Sequence, residues 1–197
     1  MSDGALPRRV VVIGTTGSGK STLAKRLAGQ LDARCIELDA LHWEPNWTEA
    51  TAEAFRARVT AAIAAPRWVV DGNYTGKLGF LTYDAADTVL WLDYSFPRVF
   101  RQLFVRTMRR RASREELWNG NVESLRTHFF TRDSLFLWAV KSHWRHRRVY
   151  IARFAQPEFA HLSVVRLHTP GETERYVCAV AAMTAGRDTP SAAASSD

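Results

Sequence analysis

A chain of 197 residues that is 46% hydrophobic and 24% charged has an ordinary globular make-up, which excludes wholesale disorder and a collagen-like repeat. Its two cysteines, Cys35 and Cys178, lie far apart with no CxxC spacing, which excludes a disulfide framework or zinc clamp, and no apolar run suits a signal-peptide core or a membrane span. The net charge of +7 is uneven: residues 101–153 hold 13 Lys/Arg against 4 Asp/Glu and the remainder 14 against 16, so a near-neutral scaffold carries one basic segment.

Arg9 to Ile13 form a continuous apolar run suited to a central strand buried on both faces. A glycine-rich turn, Gly14 to Gly19, leads to a helix whose apolar stripe is Leu23, Ala24, Leu27, Ala28 and Leu31. Ile36 to Leu38 read as a second strand ending at Asp39, and Phe55, Val59 and Ile63 mark a helix that stops before Pro66. Trp68 to Val70 and Thr88 to Leu92 are buried strands ending at Asp71 and Asp93. A helix starting near Pro97 is expected to bury Phe100, Leu103, Phe104 and Met108, and helical pieces follow to about Phe154. Val164 to Leu167 complete a fifth strand, and Thr169-Pro170-Gly171-Glu172 open the last helix with a capping box. Residues 186–197 are small and polar and are expected to be a disordered tail.

Strands alternating with helices predict a three-layer α/β sandwich with a five-stranded parallel sheet. Ligands of such sheets bind at the carboxyl ends of the strands, which here carry Gly14, Asp39, Asp71 and Asp93.

Gly14-Thr15-Thr16-Gly17-Ser18-Gly19-Lys20-Ser21 spells G-x-x-x-x-G-K-S between strand and helix, the context a phosphate-binding loop requires. Its glycines let backbone N–H groups turn toward phosphate oxygens, and the helix that contains Thr22 adds the positive end of its dipole. Lys20 then neutralises β- and γ-phosphate charge, and the Ser21 hydroxyl ligates Mg²⁺. The motif thus implies ATP and magnesium. Asp71 fits a carboxylate that holds the magnesium through water and equally a turn-forming residue of Asp71-Gly72-Asn73. Asp93 fits a strand-end turn or helix cap.

Asp39, His42, Trp43, Glu44 and Trp47 suit a pocket for a planar or hydroxylated acceptor, although both tryptophans fit equally well as packing between a small lobe and the sheet. Arg106, Arg109 and Arg110 share one helix face, which is either solvated or turned toward a moving phosphoryl group. His143 and His146 sit among cations and read as a solvated helix rather than a metal site. Asn73-Tyr74-Thr75 spells a glycosylation acceptor, irrelevant in the cytoplasmic location expected for this chain.

The Gly14–Ser21 loop, Leu38-Asp39-Ala40-Leu41-His42-Trp43, Trp68 to Tyr74, Ala86 to Asp93 and Glu116 to Asn121 resemble, in order, the adenylate-kinase-like P-loop proteins known as DNA topology modulation proteins. The resemblance covers Arg9 to the last helix and implies a single kinase-like domain over 1–185. Within it, an acceptor-binding lobe spans about 40–66 and a helical basic lid about 106–153. By that resemblance the loop and Lys20 bind ATP, Arg101 and Arg106 lie at the base of the lid, and Tyr74 belongs with Asp39, His42 and Trp43 on the acceptor side. The chain departs from adenylate kinases at Asn73-Tyr74-Thr75, where those enzymes read D-G-F-P-R, and lacks the arginine that grips a nucleoside monophosphate. It has no lid zinc cysteines, and Val122 stands where the group often has arginine.

Two functions follow. One is transfer of the ATP γ-phosphate to a small acceptor, with Lys20, Arg106 and Arg110 on the phosphates and Asp39 as base if the acceptor is a hydroxyl. If the acceptor is a phosphate, no base is needed and arginines supply the grip. The other is a nucleic-acid-associated ATPase or nucleotide sensor that uses the cations of 106–114 and 141–148 as a backbone track.

Overall fold

The computed structural model describes residues 5–113 and 135–186, with side chains described over 5–109 and 144–186. Strand β1 (Arg9–Gly14) leads through the glycine-rich loop into α1 (Lys20–Gln30) and then β2 (Arg34–Glu37). A short helix α2 (Leu38–His42), a hairpin of β3 (Trp43–Glu44) and β4 (Thr48–Glu49), and α3 (Ala52–Ile63) follow. Next come β5 (Trp68–Asp71), the single-turn helices α4 (Thr75–Leu78) and α5 (Leu81–Asp84), and β6 (Thr88–Leu92). Two long helices, α6 (Phe96–Ser113) and α7 (Leu135–Phe154), precede β7 (Ser163–Leu167) and α8 (Pro170–Ala185).

The main sheet is five-stranded and parallel throughout, in the order β2-β5-β1-β6-β7. Its central strand explains the unbroken apolar run. Val10 and Val12 join one core with Leu23 and Leu27 of α1 and Val177 and Val180 of α8. Val11 and Ile13 point to the opposite core with Phe55 and Val59 of α3 and Tyr150 of α7. Each of these side chains contributes roughly 1.5–3 kcal/mol on burial. The last helix starts as its capping box requires: Glu172 N–H donates to Thr169 Oγ1 at 3.1 Å, and the Glu172 carboxylate accepts from His168 N–H at 2.8 Å.

Two expected elements change. The second strand ends at Glu37, because Leu38 turns inward to 1% exposure and begins α2. Asp39 therefore sits in the first turn of a helix and not on a strand end. The buried face of α6 is Val99, Leu103 and Thr107, whereas Phe100 and Phe104 are 38% and 45% exposed. The phosphate-loop side chooses that face. A Cβ on Gly17 would lie 2.8 Å from Leu103 Cβ and 3.1 Å from the Val99 carbonyl oxygen, so the helix backbone rests on a glycine. The tail at 187–197, the Glu116–Asn121 motif, Val122 and the centre of the expected lid (114–134) lie outside the described residues, as does the side chain of Arg110.

Gly17 also has φ +86°, a conformation that costs a side chain about 1–3 kcal/mol. Gly17→Ala is expected to lower the urea-unfolding free energy by about 2–3 kcal/mol through combined strain and clash with α6. An unchanged midpoint would mean that the loop and α6 are not packed together.

Candidate active site

The glycine-rich loop is closed on itself and pinned to the sheet. Ser18 N–H donates to the Thr15 carbonyl at 3.0 Å, and Leu23 N–H to the Gly19 carbonyl at 3.1 Å, so helical bonding starts at once. Gly14 lies so close to β6 that a Cβ there would be 2.8 Å from the Leu92 carbonyl oxygen. Thr15 and Ser18 are buried, Thr16 and Gly17 partly so, and Gly19, Ser21 and Thr22 are exposed at the amino end of the eleven-residue α1. The positive end of the helix dipole thus faces solvent across a ring of backbone.

Lys20 Nζ donates to the Thr15 carbonyl across that loop at 3.2 Å. Burial pushes its ammonium pKa down; Asp71 and Asp39 oppose this, and Arg106 reinforces it. Lys20, Asp71, Asp39 and Arg106 therefore share one electrostatic neighbourhood although they come from α1, β5, α2 and α6. Arg106 is half-buried, three residues after Leu103 on the helix that packs against Gly17, while Arg101 and Arg109 are exposed. Asp71 is 8% exposed at the end of β5, in register with Val12 and Glu37. Burial pushes its carboxyl pKa up, while Lys20 and a hydrogen bond with Ser21 pull it down.

Asp71 Oδ1 and Ser18 Oγ are buried without a hydrogen-bond partner among the described residues. Buried orphan oxygens need a ligand, water or ion to satisfy them. A carboxylate and an adjoining hydroxyl are hard oxygen donors of the kind Mg²⁺ takes alongside phosphates and water, so Ser21 and Asp71 fit that ion. No cluster of three His, Cys, Asp or Glu among the described residues could hold a metal by itself.

The elements after β2 build a second wall. Tyr74, at the N-terminal cap of α4, donates its hydroxyl to Asp39 Oδ1 at 2.5 Å. Burial, then Asp39, push its phenol pKa far up, with Trp43 opposing. Trp43 packs edge-on against Trp47, with ring centroids 5.5 Å apart. His42 turns the other way. It is 2% exposed, and its ring packs among Trp43, Phe55 and Tyr74 at 4.8–5.0 Å. The cations of this lobe face its own carboxylates: Arg58 bonds Glu44 Oε1 and the Leu41 carbonyl, and Lys77 bonds Glu49 Oε2.

Two residues given local roles by sequence are structural hubs. Asp93, with a side chain 3% exposed, is neither a simple turn nor a cap: its Oδ2 accepts from Arg166 Nε at 2.8 Å and lies 3.3 Å from Arg147 Nε and 3.5 Å from His168 Nδ1. Arg166 also stacks over Trp91, 4.4 Å from the ring centroid. Asn73 donates to Tyr150 Oη at 2.7 Å and accepts from Tyr83 Oη at 3.2 Å. Together they tie α7 to the ends of β5 and β6. His146 stacks on Tyr150 at 5.6 Å instead of standing free in solvent. The signal for Asn73 was its place directly after the β5 carboxyl end; Arg147 was one cation among many.

A cavity of about 450 Å³ lies at the opposite, amino-terminal end of the strands, lined in part by Leu6, Asp87, Leu162, Val165, Tyr176 and Met183. The loop, Lys20 and both aspartates are at the carboxyl end, where parallel sheets bind ligands, and that end is the candidate site. Among the described residues, no helix is long and apolar enough to cross a membrane.

A profile of the ATPase family associated with various cellular activities (AAA) matches residues 10–70, the span from β1 to β5. No curated protein matches the chain by sequence. Among solved structures, a shikimate kinase from Acinetobacter baumannii in complex with shikimate is similar at TM-score 0.52 and 12% identity, covering 95% of this chain and 97% of its own. A shikimate kinase from Bacteroides thetaiotaomicron is similar at TM-score 0.51 and 13% identity, covering 87% and 95%. A gluconokinase from Sinorhizobium meliloti 1021 reaches TM-score 0.49 and 17% identity, covering 92% and 94%. The two shikimate kinases share this chain's fold, a five-stranded parallel sheet flanked by helices.

The buried imidazole gives a check on this lobe. Burial, then Lys77, push the His42 pKa below its usual value, against Glu49 and Asp39. The unfolded chain therefore takes up the His42 proton at higher pH than the folded one. The associated stability is complete above the unfolded value of about 6.5 and is lost as pH falls toward the folded one. Between pH 7.5 and 5.5 the unfolding free energy of His42→Phe is expected to fall less than that of the wild type. Equal slopes would mean that the ring is solvated.

Proposed function

We propose that this chain is an ATP-dependent small-molecule kinase that transfers the γ-phosphate to a hydroxyl acceptor. The observation that carries the reading is Lys20: its ammonium spans the glycine loop at the head of α1, with the Asp71–Ser21 pair and Arg106 around it. Such a cluster suits a polyphosphate and little else: backbone amides and a lysine for the phosphate oxygens, a hydroxyl and a carboxylate for a hydrated cation. The AAA profile match over this region and the P-loop kinase fold support the nucleotide half of the reading.

Ser21 and Asp71 would hold Mg²⁺, which supplies charge neutralisation between the β- and γ-phosphates. Lys20 and the loop amides orient the polyphosphate, and Arg106 meets charge that develops on the transferring group. On the acceptor side, Asp39 lies within the electrostatic reach of Lys20 and faces the lobe of Trp43 and Tyr74. It accepts the acceptor's hydroxyl proton as the new O–P bond forms and the bond from the γ-phosphorus to the bridging β-phosphate oxygen breaks, leaving ADP and a phosphate ester; the proton passes to solvent. Tyr74 and Trp43 line this acceptor lobe, and the buried His42 shapes it from behind.

A hydroxyl acceptor is favoured over a phosphate-bearing one by the lobe's charges. Arg58 and Lys77 are engaged by Glu44 and Glu49, and the adenylate-kinase arginine is replaced by Thr75. The finer likeness to the DNA topology modulation proteins is compatible with this chemistry, since it specifies the same loop and acceptor motifs. In this reading the basic segment is the lid, with Arg106 of α6 turned toward the phosphates from its base. Its Arg147 is committed to Asp93, which weighs against a continuous nucleic-acid track.

Lys20→Ala tests the reading. Because burial disfavours the ammonium, the fold should withstand its loss, with an unchanged or higher urea midpoint. Mg-ATP turnover should fall at least about 10²–10³-fold, the cost of removing one positioned donor to transition-state charge. Undiminished turnover would overturn the assignment.

A further inference from the structure

The Tyr74 and Asp39 side chains are hydrogen-bonded along the acceptor wall: the phenol O–H donates and the carboxylate oxygen accepts, with Tyr74 Oη 2.5 Å from Asp39 Oδ1. The phenol remains a donor throughout, because burial and then Asp39 push its pKa far above the ordinary tyrosine value. The tyrosine is also held in place. Its ring packs tilted on His42 at 4.8 Å and edge-on to Phe55 at 5.1 Å. Its carbonyl accepts from Lys77 and Leu78 N–H, each at 2.9 Å.

We propose that Tyr74 is the positioning residue of the acceptor site: held between His42 and Phe55, it binds Asp39 through Oδ1 and leaves Oδ2 as the atom that receives the acceptor's proton. This rests on the reading of Asp39 as the acceptor's base. One carboxylate oxygen is thus committed to the protein and the other to the substrate, so the acceptor hydroxyl approaches in a single orientation.

Mg-ATP hydrolysis by the full chain, with water in the acceptor's place, separates the two ideas. In Tyr74→Phe, which keeps the packed ring, kcat should drop roughly tenfold, the worth of one hydrogen bond to a charged group, with KM for ATP unchanged. Asp39→Asn should lose more. If Asp39→Asn hydrolyses ATP normally, the base reading fails; if it is impaired while Tyr74→Phe keeps the wild-type kcat, only the positioning role fails. Equal urea midpoints for Tyr74→Phe and the wild type exclude misfolding as the cause.

Discussion

Lys20, half-buried at a parallel sheet's carboxyl edge with Asp71 and Asp39 in its electrostatic neighbourhood, is the charge on which the rest of the candidate site depends. Burial alone disfavours both the Lys20 ammonium and the Asp71 carboxylate, and each is offset in part by the other. The sheet makes this possible. Strands β1, β5 and β6 are buried on both faces, so their carboxyl ends are held in fixed register, and Asp71 stands between Val12 and Glu37 with little freedom to move. Rigid placement of this sort favours catalysis by preorganised charge, in which the site pays its reorganisation cost during folding.

The second constraint links the glycine loop to the helices of the basic segment. Helix α6 rests its backbone on Gly17, and Arg106 reaches the neighbourhood of Lys20 from the same helix. At the far end, α7 is fastened by Arg147 to Asp93 and by Tyr150 to Asn73, both at carboxyl ends of central strands. Arg153 adds a stacked contact over Phe80 and Tyr83. Both described ends of the segment are thus attached to the edge that carries the candidate site, the arrangement a lid over phosphates requires under the proposed function.

Much of this was legible in the residues. The runs at Val10–Ile13, Trp68–Val70 and Val89–Leu92 are apolar at every position, which suits a strand covered on both faces, and the loop's spelling singled out Lys20 and Ser21, which the structure brings near Asp71. What escaped the sequence is long-range. The stripe of α6 contains phenylalanines that look like core, but the contact that sets its orientation comes from a glycine some eighty residues earlier. Asp93 read as a turn because its partners Arg147, Arg166 and His168 are 54, 73 and 75 positions away. His42 read as an acceptor contact because a lone histidine beside tryptophans suits a pocket as well as a core, and only the packing of Phe55 and Tyr74 decides between them.

The claim on which the account stands is that the amides and lysine at the head of α1 hold a nucleotide's polyphosphate. Titration calorimetry of the full chain with Mg-ATP tests it most directly. The expected result is a saturable heat that ADP competes away, that adenosine does not produce, and that weakens when magnesium is chelated. No heat with Mg-ATP, or equal binding of adenosine, would contradict it.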